Sequence, residues 1–381
     1  MKQPELTLVD HFRSIRDYRE NHNKRHLLVD IIVVAVGCVI CGANNFVEIQ
    51  TIGNEKLDWF RTFLLLPNGI PSHDTFNRVF ARINPEELRS CFLSWVQATF
   101  PTTGAQHIAL DGKELHHSQD SDNDFANLRI ISAWSVDYGI VLGQAIVDDD
   151  SNEITAVPQL LRMIDITGCH FTADALHCQT NLVKTLTKGD ASFTIGVKAN
   201  QKALYQPIVE TFAQLKQLPN APLHVYETIE KDHGRLETRT YYLTTDLSRL
   251  TTLDAWDGIE NIGMVESERR IGKKIEHETR YYINRGDAHV QTFSVHVRSH
   301  WSIENRLHWR RDVIFNEDGA HIRVNHAPEN MAIIRHIVVN LLTSERTMKV
   351  GTQAKRLRAA CSDQYLEKVI KSQSTNNACV L

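Results

Sequence analysis

The chain has 381 residues, 42% of them apolar, and a formal net charge of −4. That size allows one large domain with an appendage, or two to three domains, and the apolar content excludes a wholly disordered chain. Seven cysteines, at 38, 41, 91, 169, 178, 361 and 379, follow no regular spacing, which argues against a disulfide framework and for a reduced, cytoplasmic setting.

The opening Met1-Lys2-Gln3-Pro4-Glu5 is not followed by the apolar core of a secretory leader. The first predicted helices lie between about 5 and 100. Leu6 to Arg16 is amphipathic. Leu27 to Ala43 is apolar, interrupted by Asp30, and falls short of the roughly 20 residues a membrane span needs. It reads as a buried helix, and no membrane partner is expected. Cys38 and Cys41 form a CxxC inside it. Without a second pair they read as small buried side chains, not a zinc or redox site. Val47 to Phe63 has helical spacing, and Leu66 to Pro71 is a turn. Asp74 opens a short helix. Asn84-Pro85-Glu86-Glu87 starts the next, with Asn84 as cap, Pro85 in the first turn and Glu87 closing a capping box. Two short helices around a tight turn fit either a helix-turn-helix or ordinary helical packing.

From about 105 the pattern becomes strand-like. Ile108 to Leu110, Leu128 to Ser135 and Ile140 to Val147 are strand-length runs, the last two joined by a hairpin signal at Val136-Asp137-Tyr138-Gly139. A helix from Ser151 to about Ile164, a strand His170 to Ala173, a helix Gln179 to Lys188 and a strand Ser192 to Val197 follow. This order predicts an α/β fold: a ribonuclease-H-like mixed sheet flanked by helices, with its active site at the strand ends. Lys202 to Leu218 is helical, and four strand-like runs between His224 and Asn284 predict an inserted, mainly-β subdomain. Helix returns from Val290 to Arg311 and from Glu329 to Leu342. The expected division is 1–100 helical and a candidate DNA-binding region, 101–202 the first part of the catalytic domain, 203–290 the insertion, 291–345 the second part, and 346–381 a basic tail.

Three acidic residues sit where metal-ion phosphodiester chemistry needs them. Asp111 and Asp174 each follow an apolar strand, and Glu304 lies in a helical stretch containing Arg298, Arg306, Arg310 and Arg311. Hard divalent cations take oxygen ligands and can hold the attacking and leaving oxygens of a phosphate in line. Strand ends fix an Asp rigidly, and a helix can bring a Glu against them. The bland alternative is that Asp111-Gly112 is a turn pair and Asp174 a helix cap. Glu317 and Asp318 are substitutes for the third ligand. Cys169, His170, His177 and Cys178 crowd around Asp174 without any usual zinc spacing. No Gly-rich phosphate loop is present, which argues against nucleotide-dependent chemistry.

These motifs occur in the order found in one family. Asp111-Gly112-Lys113 with Ser118, Ser151 to Pro158, Thr172-Ala173-Asp174-Ala175 with Gln179, Val197-Lys198 with Asn200-Gln201, and His233-Gly234-Arg235 are joined by His300-Trp301, Ile303-Glu304-Asn305, Leu307-His308-Trp309, Asp312-Val313 and Asn316-Glu317-Asp318. Glu329-Asn330, Arg335-His336 and Asn340-Leu341-Leu342 complete the series. The chain resembles DDE transposases of the H-repeat-associated protein family. The resemblance implies a ribonuclease-H-like catalytic domain behind a helical associated domain, with Asp111, Asp174 and Glu304 as catalytic and metal ligands. It implies Mg²⁺ or Mn²⁺, hydrolysis at the ends of an insertion sequence, and attack of the freed 3′-hydroxyl on target DNA. Related transposases surround the Glu with Tyr, Arg and Lys; this chain has Val297, His300 and Arg311 there.

Lys113, Arg298, Asn305, Arg310 and Arg311 are the expected DNA or phosphate contacts. Trp301 and Trp309 either stack on a displaced base or join the core. Double-stranded DNA is the expected partner, bound by a homodimer at the nucleoid. The rival readings are a structure-specific nuclease of the same fold and a catalytically silent DNA-binding remnant.

Overall fold

The computed structural model describes residues 8–20, 24–100, 106–119, 126–147, 153–232 and 234–371. The expected motifs at Ser151-Asn152 and His233, and the last ten residues of the tail, lie outside them.

Among the described residues up to Phe100 there are six helices: α1 (Leu8–Phe12), α2 (Leu28–Ile40), α3 (Phe46–Glu55), α4 (Leu57–Phe60), α5 (His73–Phe80) and α6 (Pro85–Thr99). α2 is buried at every residue except Val29, as its apolar sequence requires, and Cys38 and Cys41 are free and buried. The stretch expected as one helix over 47–63 breaks near Lys56 into α3 and α4. At the start of α6 the Asn84 side chain accepts from the Glu86 amide at 2.9 Å, with Pro85 in the first turn. Glu87 does not close a capping box; it accepts from the backbone of Arg16 at 2.8 Å and ties the α1 end to α6.

The middle of the chain is one sheet. β1 (His107–Glu114), β2 (Arg129–Ser135) and β3 (Ile140–Val147) form an antiparallel meander. Gly139, at φ +69°, supplies the left-handed residue of the β2–β3 turn. α7 (Glu153–Arg162), β4 (His170–Ala173), α8 (Thr180–Lys188) and β5 (Ser192–Val197) follow, with β4 parallel to both β1 and β5. After α9 (Lys202–Leu215) come β6 (His224–Asp232), β7 (Arg235–Thr244), β8 (Asn261–Ile271) and β9 (Lys274–Arg285). The residues expected to form an inserted subdomain continue this sheet, because β9 pairs antiparallel with β5. The order is β3-β2-β1-β4-β5-β9-β8-β7-β6, nine strands among the described residues. β1 to β3 are antiparallel and β4 and β5 run parallel to β1, a mixed sheet as expected, and the α/β class stands.

α10 (Val290–His300) packs on β4, β5, β6 and β7. The chain then winds more loosely. Ile303–His308 and Arg310–Ile314 are π-helical, and the Phe315 amide reaches back five residues to the Arg310 carbonyl at 3.1 Å. Such turns are rare and concentrate at functional sites. α11 (Ala327–Ser344), α12 (Thr352–Cys361) and α13 (Asp363–Lys371) close the chain.

α11 is buried at every residue but Thr343. It packs against α2, α5 and α6 on one side and β3 on the other, so the helical N-terminal region and the sheet share one hydrophobic core. Two of its asparagines tie it to neighbouring backbone, while neither ring nitrogen of the buried His336 has a hydrogen-bond partner among the described residues. Asn330 donates to the carbonyls of Phe80 (2.7 Å) and Ile83 (3.0 Å). Asn340 exchanges two bonds with the backbone of Val141, each 2.8 Å, and so closes part of the free edge of β3. Buried backbone groups need such partners.

Candidate active site

Asp111 and Asp174 reach one place through strand register. Leu110 of β1 pairs with Ala173 of parallel β4, so the two aspartates are the next residues on neighbouring strands. Adjacent strands lie about 4.8 Å apart, a spacing that lets two carboxylates address the same ion. Gly196 of β5 allows the close approach: a Cβ there would meet the Ala175 nitrogen at 3.2 Å. The Asp174 Oδ1 accepts from the amides of Leu176 (3.0 Å) and His177 (3.3 Å), which fixes the carboxylate at the turn leaving β4.

Glu304 comes from the π-helical segment. Asp111, Asp174 and Glu304 line a single cleft of about 460 Å³ together with Thr172, Lys198, Arg280 and Trp301. Asp174 is 44% exposed and Asp111 16%, and Glu304 is exposed. His308, one π-turn beyond Glu304, places Nδ1 3.4 Å from Asp111 Oδ2. Burial drives the His308 pKa down to about 3, with Arg311 and Lys113 adding to the effect, so a neutral imidazole faces Asp111. His300 accepts or donates at Thr172 Oγ1, 3.1 Å away. Burial lowers its pKa to about 4 against the pull of Asp174.

The donor set fits a hard divalent cation: three carboxylate oxygens in one cleft, with no Lys or Arg ion pair to Asp174 or Glu304 among the described residues. The three do not close into a ready-made ligand cage, and no group of three His, Cys, Asp or Glu among the described residues does. Magnesium commonly uses one or two protein carboxylates and fills its shell with water and substrate phosphate, which matches an open set of this kind.

The expected phosphate contacts divide. Lys113 turns away from the cleft: its side chain is 9% exposed and pairs with Asp312 and, at 3.4 Å, with Glu317. Arg311 is fully buried, with Nε 2.8 Å from Glu317, and Arg335 of α11 adds a third cation at 3.2 Å. A phosphate cannot reach either Lys113 or Arg311 in this arrangement; both are corrected to internal ties between β1, the π-helical segment and α11. Burial alone would raise the Glu317 carboxyl, but Arg311, Arg335 and Lys113 hold it well below the usual carboxylate range. Glu317 is therefore no substitute metal ligand. Arg298 pairs with Glu230 of β6 at 3.1 Å. Asn305 is exposed beside Glu304. Arg310 is half-buried and donates to Thr343 Oγ1 at 3.2 Å.

The sequence reading omitted Lys198, Arg280 and His308 from the site. Lys198 follows β5, the third parallel strand end, and the strand-end rule that located Asp174 would have located it. It is exposed and has no carboxylate partner among the described residues. Arg280 stands on β9 with its guanidinium 4.8 Å from the Trp301 ring; nothing in the sequence places β9 beside β5. Trp301 thus walls the cleft, and Trp309 is 53% exposed.

Comparison with known proteins places the chain in a family. Residues 9–96 match the family described as DDE_Tnp_1-associated, and residues 102–341 match the Transposase DDE domain. The chain is 36% identical over 368 residues to "H repeat-associated putative transposase YhhI" of Escherichia coli (strain K12), covering 95% of this chain and 97% of that one. It is equally identical, over the same span and coverage, to "Putative protein YbfL" of the same strain. "Putative transposase YncI" of Escherichia coli O157:H7 is 33% identical over 372 residues, 97% of this chain and 95% of its own length. A domain match across most of the sheet and near full-length likeness leave one conclusion: the chain belongs to the DDE transposase family.

Proposed function

We propose that the cleft cuts DNA at the ends of an insertion sequence and joins the resulting 3′-hydroxyl to target DNA. The observation that carries this reading is the convergence of Asp111, Asp174 and Glu304, from β1, the end of β4 and the π-helical segment, on one cleft beside Lys198. Asp111 and Asp174 would hold Mg²⁺ or Mn²⁺ between them, and Glu304 would complete the set. When bound, the cations supply a lowered pKa for the attacking water or hydroxyl and charge neutralisation at the leaving oxygen. Lys198 balances the charge of the phosphate that enters among three carboxylates. His308 keeps the Asp111 carboxylate oriented without neutralising it, as partners of ligating carboxylates do. The same cleft serves both steps, and no covalent protein–DNA bond is required. Two copies of the chain, one at each end of the element, are the simplest assembly, and the double-stranded substrate places the work at the nucleoid.

The DNA flanking the gene, searched for short inverted repeats, supplies the substrate for the test. Labelled duplex carrying them is incubated with purified chain and Mg²⁺ or Mn²⁺, and both cleavage and joining are scored. Asp111→Asn, Asp174→Asn and Glu304→Gln are each expected to lose more than the roughly 100-fold that an outer-shell partner is worth, while retaining DNA binding. Normal cleavage by any one variant removes that residue from the site. Cleavage by the wild type with no joined product would favour a nuclease over a transposase.

A further inference from the structure

A second groove, of about 1040 Å³, lies between the end of α11, α12 and α13. Arg346, Arg358, Lys368 and Lys371 line it, all of them exposed. Its two acids offer little compensation. Glu345 is 1% exposed and committed inward, to Tyr365 Oη at 2.8 Å, the Thr347 amide at 2.9 Å and the Lys355 ammonium at 3.7 Å. Glu367 pairs with Lys371. Arg346 and Lys368 have no carboxylate partner among the described residues, and the Arg358 guanidinium rests on the Tyr365 ring at 5.1 Å. In a chain of net charge −4, uncompensated cations in a groove mark a place for an anion.

The segment that carries Glu304 reaches the rim of the groove through Arg310, which donates to Thr343 Oγ1, next to Ser344 of the groove lining. Two residues after Glu304, Arg306 is exposed. Arg310, one turn later, is bonded to Thr343 at the end of α11, and Arg346 follows three residues on. Arg306 stands four residues before Arg310 and Arg346 three residues after Thr343, so these cations follow one another along the two segments that the Arg310–Thr343 bond joins. The track from Glu304 to Arg346 is on the order of 20 Å by helical rise and side-chain reach. That equals roughly six base pairs of duplex at 3.4 Å each. A peptide ligand would need no such continuity with the cleft.

We propose that the C-terminal groove binds the sugar–phosphate backbone of the duplex whose scissile bond occupies the cleft, with Arg306 and Arg310 bridging the two. This rests on the reading of the cleft as a DNA site. The double variant Arg346→Ala/Lys368→Ala changes two exposed side chains and leaves the cleft intact. Its affinity for a 40-base-pair duplex carrying the flanking repeats is compared with wild type from 50 to 200 mM salt. Loss of two phosphate contacts lowers the salt slope by about 1.8, so the wild type should lose roughly twelvefold more affinity than the variant over that range. Hydroxyl-radical footprints should lose protection about six base pairs from the cut and keep it at the cut. Arg346→Glu/Lys368→Glu should weaken binding further, with an unchanged melting temperature showing that it folds. Equal slopes and footprints for wild type and variants, while the wild type binds and cuts, would overturn the groove assignment alone. A wild type with no salt-dependent duplex binding would overturn the parent reading as well.

Discussion

Replacing Glu317 by glutamine, a nearly isosteric change, should be strongly destabilising. The carboxylate is 2% exposed and meets Arg311 (0% exposed), Arg335 (3%) and Lys113 (9%). Of the other acids nearby, Asp312 is 40% exposed and pairs with Lys113, and Asp318 acts on Lys113 and Arg335 without an ion pair to either among the described residues. Glutamine preserves the shape and removes the charge, leaving three buried or nearly buried cations facing one another. Exposed ion pairs are worth about 0–1 kcal/mol, but breaking a buried one costs about 3–5 kcal/mol, because the abandoned charges remain out of water. Urea unfolding at pH 7, followed by tryptophan fluorescence, should show a loss in that range. Lys113→Met in the same chain should restore part of it, since the two sites share the network. Acid should erase the difference. The folded-state pKa of Glu317 is depressed from its ordinary 4.5, so its stabilisation is present above about pH 4.5 and is lost as pH falls through the folded value. A loss under about 1 kcal/mol at pH 7 would refute the claim that Glu317 holds the π-helical segment onto β1.

Acid sensitivity should also begin earlier, from a layer of histidines under α10. The His170 and His296 rings stack at 3.4 Å, and His107 stands 5.2 Å from His296. Burial, then neighbouring imidazolium charge for His107 and His170, lowers their pKa values to about 3 and 2; burial takes His296 to about 4 against Asp287 and Asp137. The unfolded chain takes up these protons below pH 6.5 and the folded one does not, so stability falls by about 1.4 kcal/mol per pH unit per histidine. Urea stability should drop by about 4 kcal/mol between pH 7 and 5.5, and a flat profile there would contradict the neutral, buried assignment. At the edge of β3, Asn340→Leu strands the buried N–H and C=O of Val141, at about 1–3 kcal/mol for each group. Amide exchange at Val141 should accelerate relative to Leu110 in the sheet centre, and an unchanged ratio would mean that Asn340 does not protect the strand.

How much of this was legible depended on whether the signal was local. β5 was readable to the residue, and β4 with it, because short apolar runs between helices carry their own punctuation. Asp111 and Asp174 were legible for the same reason, as acids just beyond such runs. The junction of β9 with β5 was not. Pairing Tyr281 with Val197 joins residues far apart in sequence, and periodicity carries no register between distant strands. Lys113 and Arg311 were read as phosphate ligands because a charged residue beside a catalytic acid is ordinarily solvated. Their burial is decided by Glu317 and Arg335, which arrive from other elements. The π-helical winding around Glu304 was invisible too, since its apolar spacing, Ile303 to Leu307, is that of an ordinary helix.

The placement of α11 bears on how the protein is made. Its partner α2 ends at Ile40, and α11 begins at Ala327, so about 290 residues are translated in between. At 5–20 residues per second the ribosome needs roughly 15–60 s to cover that distance. Throughout that interval the valines and isoleucines of α2 lack the α11 surface that later covers part of them. Nascent chains should therefore lean on holdase chaperones until α11 has been made, and a premature stop before position 327 should yield insoluble fragments, however sound the preceding sheet.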